Sequence, residues 1–246
     1  MACNARDQDK YLQNFKEHLK ELIRINSISK AYRTGRGKVQ ALSDVSLFVE
    51  TGMTLTIMGK SGSGKTTLLN CIGGLERPDT GSVQCFGIDI HALSNRDLSL
   101  FQRRNMGFVF QSGNLLSYLT VSENIAFPLI INGIRNKEKN RRVSELLDKI
   151  ELSDAVRAMP NELSGGEAQR IAFARAIAHS PRILLADEPT ASLDTETGNN
   201  LVKLMFAMGK EEKCTIIIST HDQEIIKLSY KSSYIKDGKM KDPKNE

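Results

Sequence analysis

Gly59-Lys60-Ser61-Gly62-Ser63-Gly64-Lys65-Thr66-Thr67 is the stretch that decides the fold of this chain. The apolar run Met53–Met58 precedes it and a helical pattern, Lys65–Gly73, follows, so the loop joins a strand to a helix. Glycines at 59, 62 and 64 let the backbone approach an anion with no Cβ in the way. Successive amides through Lys60, Ser61, Ser63 and Thr67, together with the start of the helix, then face negative charge. Lys65 is placed to reach the outer phosphates of a nucleoside triphosphate, and the Thr66 hydroxyl to ligate Mg²⁺. A flexible Gly/Ser linker, the alternative, needs neither the Lys-Thr pair nor the preceding strand.

Outward from the loop, Gly107–Phe110, Ile183–Asp187 and Cys214–Ser219 are short and mainly apolar, as strands buried on both faces of a parallel sheet are. Helical patterns lie at Thr197–Met208 and Asp222–Leu228. The alternation predicts an α/β fold with a mostly parallel core sheet. Upstream, Leu22–Ser29 and Ala41–Glu50 read as an antiparallel β layer, with a turn at Thr34-Gly35-Arg36-Gly37. Between Ser112 and Asn161 the character changes. Val143, Leu146, Leu147 and Ile150 fall at helical spacing beside the charge run Arg135 to Arg142, which predicts a helical insertion. From about Asp9 to Ile23, Tyr11, Leu12, Phe15, Leu19, Leu22 and Ile23 recur among charges and predict a short amphipathic helix, packed on the domain or against a membrane or partner.

Ile183-Leu184-Leu185-Ala186-Asp187-Glu188 ends an apolar strand in two carboxylates, where nucleotide sites in open α/β sheets lie. Phosphoryl transfer to water needs charge neutralisation and a proton acceptor, which such a pair supplies. The alternative is a helix cap and first-turn acid, which Pro189 suits. Leu163-Ser164-Gly165-Gly166-Glu167 opens a segment rich in alanine. A serine and two glycines at a helix start offer donors to an anion. They read equally as an ordinary capped helix, with Ser164 as cap and Glu167 closing a capping box.

Composition bounds the answer without deciding it. The 246 residues, 40% apolar and 26% charged, suffice for one large domain or two intimate subdomains. A net charge of +5 from 34 scattered basic residues suits solubility and attraction to an anionic membrane face, and argues weakly for nucleic acid. Cys3, Cys71, Cys85 and Cys214 show no metal-site or disulfide spacing and read as reduced thiols. No stretch approaches the roughly 20 apolar residues that span a bilayer. The first residues lack the apolar core of a signal peptide, so Cys3 is not expected to carry lipid, and any channel is expected to be another polypeptide.

The phosphate loop, LSGGE and ILLADE, in that order, resemble the ATP-binding subunit of an ABC transporter, over Leu22 to Met240. The resemblance implies an ABC-type P-loop domain over 22–246 behind an extension at 1–21, with a helical subdomain at about 112–179 that meets a membrane subunit. It implies that Asp187 holds Mg²⁺ through water and that Glu188 orients and deprotonates the attacking water. Gln111 would contact Mg²⁺ and water, His221 would meet the γ-phosphate, and Asp194 would belong to a loop that signals across a dimer. Tyr32 would stack on adenine. The nearest approach to a guanine-reading motif, Asn136-Lys137-Glu138-Lys139, lacks its aspartate. Ser164, Gly165 and Gly166 of each chain would face the nucleotide of the other, closing a homodimer around ATP. Many members carry glutamine where this chain has Glu167 and Ala168.

Gln111-Ser112-Gly113-Asn114-Leu115-Leu116, Leu119-Thr120-Val121, Glu123-Asn124 and Leu185 to Thr190 resemble the branch serving lipoprotein release, macrolide or peptide export and cell-envelope work. That implies an integral membrane permease as partner, peripheral attachment at the cytoplasmic face of the inner membrane, and no nucleic acid. DNA-repair and chromosome-maintenance relatives insert long coiled coils between phosphate loop and signature, and no heptad array stands there. The rival is a soluble ABC-type ATPase in iron–sulfur assembly or nucleic-acid work. An inactive relative is disfavoured because no catalytic position is replaced. Leu115, Leu116, Tyr118 and Leu119 are expected either to pack inward or to line a groove for the permease.

Overall fold

The computed structural model describes residues 21–35, 37–229 and 231–241. The helix expected from about Asp9 therefore lies mostly outside the described residues, and its end does not form. Glu21, Leu22 and Ile23 instead open strand β1, Glu21–Thr34. The reason is pairing on both sides: Ile23 lies opposite Val49 in β2 (Gly37–Glu50) and opposite Cys85 in β4 (Thr80–Cys85). Two ladders and a buried side chain override a helical spacing. With β5, Ile88–Asp89, these strands make an antiparallel sheet in the order β2-β1-β4-β5.

The second sheet holds β3 (Thr54–Met58), β6 (Met106–Val109), β7 (Ile183–Asp187), β8 (Thr215–Thr220), β9 (Lys231–Lys236) and β10 (Lys239–Lys241) in the order β10-β9-β3-β8-β7-β6. All its pairs are parallel except β9 with β10. Parallel neighbours need crossovers, and the helices supply cover for both faces. These are α1 (Lys65–Ile72), α2 (Asn95–Asn105), α3 (Val121–Ile131), α4 (Asn136–Lys149), α5 (Gly165–Ile177), α6 (Thr195–Glu211) and α7 (Gln223–Leu228).

Alternation along the strands divides the interior into two cores. Leu184, Ala186, Ile216 and Ile218 face one side with α3, α4, α5 and α6. Ile183, Leu185 and Ile217 face the other with α1 and the antiparallel sheet. The insertion after β6 is helical, as its spacing predicts: α3 starts with a Thr120–Glu123 capping box, and Val143, Leu146 and Leu147 bury one face of α4.

α5 lies so close to β6 that a Cβ on Gly107 would collide with the Ala176 carbonyl oxygen. A rigid backbone carbonyl cannot step aside as a side chain can. Gly107→Ala should therefore lower stability by about 1–3 kcal/mol. A chemical-denaturation midpoint unchanged from the parent would show that α5 shifts freely.

Candidate nucleotide site

Register places the site. Met58 pairs with Thr220, Asp187 with Ser219 and Val109 with Ala186, so the carboxyl ends of β3, β8, β7 and β6 lie along one edge. The residues that follow each strand, the phosphate loop, His221, Glu188 and Gln111, are delivered there in that order.

In the loop, Gly62 and Gly64 have φ of 76° and 108°, a region that favours glycine. A Cβ on Gly59 would collide with the Ile235 carbonyl and the Ser63 hydroxyl. Gly64 begins α1 without any side-chain cap, so the first amides of this helix point outward unclaimed by a cap. The Ser63 hydroxyl is buried without a partner, while Lys60, Ser61, Gly62 and Thr66 are exposed. Such a cradle fits the phosphates of a nucleotide.

Lys65 is only 4% exposed. Its ammonium donates to the carbonyls of Gly59 at 2.7 Å and Lys60 at 3.0 Å and pairs with Glu188 Oε1 at 3.0 Å. Glu188 Oε2 lies 3.3 Å from His221 Nδ1. Glu188 leaves β7 with φ of 43°, a left-handed conformation costly for a residue with a Cβ. Its amide is held at that bend by the Ser219 carbonyl at 3.2 Å and the Ser219 hydroxyl at 3.0 Å. The same hydroxyl donates to Asp187 Oδ1 at 2.6 Å. Asp187 and Glu188 are thus not the cap of the following helix. Asp194 caps it, accepting the Thr197 amide at 3.0 Å, and these hydrogen bonds, the Thr197 hydroxyl first, hold its carboxyl below the usual range.

Asp194 and Leu193 line a cleft of about 150 Å³ together with Glu188, Thr220 and His221. Ser164 caps α5 through a capping box with Glu167, and Ser164 and Gly165 are exposed. A Cβ on Gly166 would come within 2.7 Å of Thr197, so the starts of α5 and α6 abut. No hydrogen bond or ion pair among the described residues joins Ser164, Gly165 or Gly166 to Lys65, Glu188 or His221. The Gln111 side chain is exposed and also stands outside that network. Tyr32 is brought to the loop: its hydroxyl lies 3.3 Å from Thr67 Oγ1 and donates to Glu76.

Ser219 and Glu76 escaped the sequence reading. Ser219 breaks a run of three isoleucines at a strand's end, a visible signal; Glu76 carries none, because its partner is 44 residues away.

A family model described as ABC transporter matches residues 42–191. The lipoprotein-releasing system ATP-binding protein LolD of Bacteroides thetaiotaomicron is 39% identical over 220 residues, 89% of this chain and 99% of its own length. The methionine import ATP-binding protein MetN of Photobacterium profundum is 40% identical over 220 residues, 89% of this chain and 64% of its own. The ATP-binding cassette MJ0796 of Methanocaldococcus jannaschii, solved as a dimer in a post-hydrolysis state with ADP and Pi, superposes with a TM-score of 0.84 at 37% identity, covering 90% of this chain and 97% of that one. The chain belongs to the ABC transporter family. It is an ATP-binding subunit and an ATPase.

Within this cassette, Tyr32 offers a spectroscopic handle. Burial, then the hydrogen bond to Glu76, pushes its phenol up to about 12. The folded state thus keeps a proton that the unfolded chain releases near pH 10, and this contribution to stability is lost as pH rises from about 10 toward 12. In an ultraviolet difference titration, one of the five tyrosines should ionise late. Glu76→Gln should bring that step down, and an unchanged titration would place the phenol elsewhere.

Proposed function

We propose that this cassette works as a homodimer beneath a separate membrane permease at the cytoplasmic face, converting ATP hydrolysis into export or cell-envelope work. The observation that carries the reading is the Lys65–Glu188–His221 cluster at the carboxyl ends of β3, β7 and β8. Among the described residues, no helix is long and apolar enough to cross a membrane, which suits a subunit that borrows its channel. The relatives named for lipoprotein release and for methionine import stand at similar identity, so the direction rests on the resembling segments Gln111 to Leu116, Leu119 to Val121, Glu123–Asn124 and Leu185 to Thr190.

The placement of the residues supports the following roles. Amides of residues 60–67 and the Ser63 hydroxyl hold phosphate oxygens, and Lys65 meets the outer phosphates. Tyr32 supplies an aromatic face for adenine. Thr66, Asp187 and Gln111 offer the oxygen ligands that Mg²⁺ prefers, and the ion when bound neutralises charge on the phosphates. Glu188 takes the proton of the attacking water, and His221 steadies the γ-phosphate. Phosphate oxygens compete with Glu188 for the Lys65 ammonium, so binding nucleotide frees the carboxylate that must accept a proton. Ser164, Gly165 and Gly166 serve the nucleotide of the second copy, and Asp194 lies where the two halves meet.

Glu188→Gln preserves shape and removes the proton acceptor. Hydrolysis should fall by roughly 10²–10⁴ while ATP still binds. On size-exclusion chromatography this variant should become a dimer with ATP, and Ser164→Arg added to it should abolish the dimer. A dimer that survives Ser164→Arg places the LSGGE segment away from the second nucleotide.

The apolar cluster after Gln111 splits in the structure. Leu115 packs against the core, whereas Tyr118 is 73% exposed, near the exposed Phe127 and Ile130 of α3 in sequence. Tyr118→Glu should reduce co-purification of a membrane subunit from detergent-solubilised membranes and leave ATP affinity unchanged. Leu115→Glu should cost stability instead. If the wild-type chain brings down no integral membrane protein, the soluble reading gains.

A further inference from the structure

α5 carries two polar side chains that its apolar surroundings do not call for. Gln169 is 2% exposed, and its Nε2 donates to the carbonyl of Phe110 at 3.1 Å and that of Gln111 at 2.6 Å. Its Oε1 is buried without a partner. Six residues further on, Arg175 donates to the carbonyls of Gly113 and Asn114, each at 2.8 Å. The turn from Phe110 to Asn114 is thus strapped along α5 by four donated hydrogen bonds. The turn lies directly against α5: a Cβ on Gly113 would stand at ordinary contact distance, 3.4 Å from Gln169 Oε1 and 3.5 Å from Ala172.

The strap joins two ends with different duties. Gln111 follows β6 on the nucleotide edge of its own chain, and Ser164 caps the same α5 that carries Gln169, five residues before it. We propose that Gln169 is a positioning residue that couples the two nucleotide sites served by one chain. It ties the Gln111 backbone, which answers to the chain's own nucleotide, to the helix that presents Ser164 to the partner's. The inference rests on the roles given above to Gln111 and Ser164. A shift of the Gln111 backbone toward the nucleotide is passed to α5 as a rigid body, because Nε2 has no other acceptor within its buried site. The free Oε1 leaves the amide one-sided: it pulls on carbonyls and is not itself held. The two sites then fire together.

Gln169→Met keeps an unbranched side chain of similar length and removes the donor. In the full-length chain it should leave ATP binding within about threefold of the parent. It should lower kcat roughly tenfold or more and reduce the Hill coefficient for ATP from near two toward one. A folded Gln169→Met with parental kcat and Hill coefficient overturns the proposal. So does a variant that loses activity with its cooperativity intact. Gln169→Glu supplies a second reading independent of whether the first variant folds. A protonated carboxyl retains a donor and a carboxylate does not, and burial raises the pKa of the introduced acid. The activity of Gln169→Glu relative to the parent should climb as pH falls, and a flat ratio overturns the coupling role. Gln111→Ala separates the two levels of the argument. Parental hydrolysis in that variant refutes the role of Gln111 itself, whereas an impaired Gln111→Ala beside an unimpaired Gln169→Met refutes only the strap.

Discussion

Parallel pairing of β3, β8, β7 and β6 is the constraint on which the rest of this molecule depends. Had any of these strands run antiparallel, its carboxyl end would lie at the far edge and its functional residue with it. Parallel pairing has its own demand, that both faces of the sheet be covered, and the two cores meet it. Functional reach and burial are therefore one requirement. The crossovers that return each strand to the same edge are also the helices that carry Ser164, Asp194 and Gln169.

At that edge the Lys65 ammonium sets the electrostatics. At 3.0 Å from Glu188 its attraction is worth roughly 5 kcal/mol for an effective dielectric near 20. Desolvating two ions costs several kcal/mol each, so the pair contributes little net stability. The two loop carbonyls tip the balance by satisfying the remaining donors. A pair of low net worth suits the exchange of partners proposed above for nucleotide binding. Glu188 adds to this economy with its left-handed backbone, held by Ser219 rather than by its own preference.

What the sequence made legible was local. Strand–loop–helix at 53–73, apolar β7 ending in acids and the Ser164 capping box each depend on neighbours within a few residues, and each formed close to its expected bounds. The thiols of Cys71, Cys85 and Cys214 are buried and pushed up to about 12 by desolvation, as inert cysteines are. One misreading arose where distant pairing intervened: Ile23, the end of the expected helix, went to a strand because Val49 and Cys85 flank it. Gln169, Glu76 and Ser219 act on residues 58, 44 and 32 positions away, beyond the reach of any spacing rule.

The capping box at Ser164 shows how one local motif carries both structure and chemistry. The Ser164 hydroxyl has a single proton and donates it to Glu167 Oε2 at 2.6 Å, while accepting the Glu167 amide. That bond, with the Ser164 amide behind it, holds the Glu167 carboxyl below its usual range, so the acceptor stays charged at neutral pH. A hydroxyl committed in this way cannot also donate to a phosphate. The donors left over are the amides of Gly165 and Gly166, the first two of the helix, which the box does not satisfy. An anion arriving at this helix start is therefore met first by backbone, and it gains the serine only by drawing the hydroxyl's hydrogen bond away from the Glu167 carboxylate. Glutamine at this position would offer a neutral acceptor and loosen that hold. The glutamate favours the capped helix until a more strongly charged acceptor than a carboxylate is brought to it, and a terminal phosphate is such an acceptor.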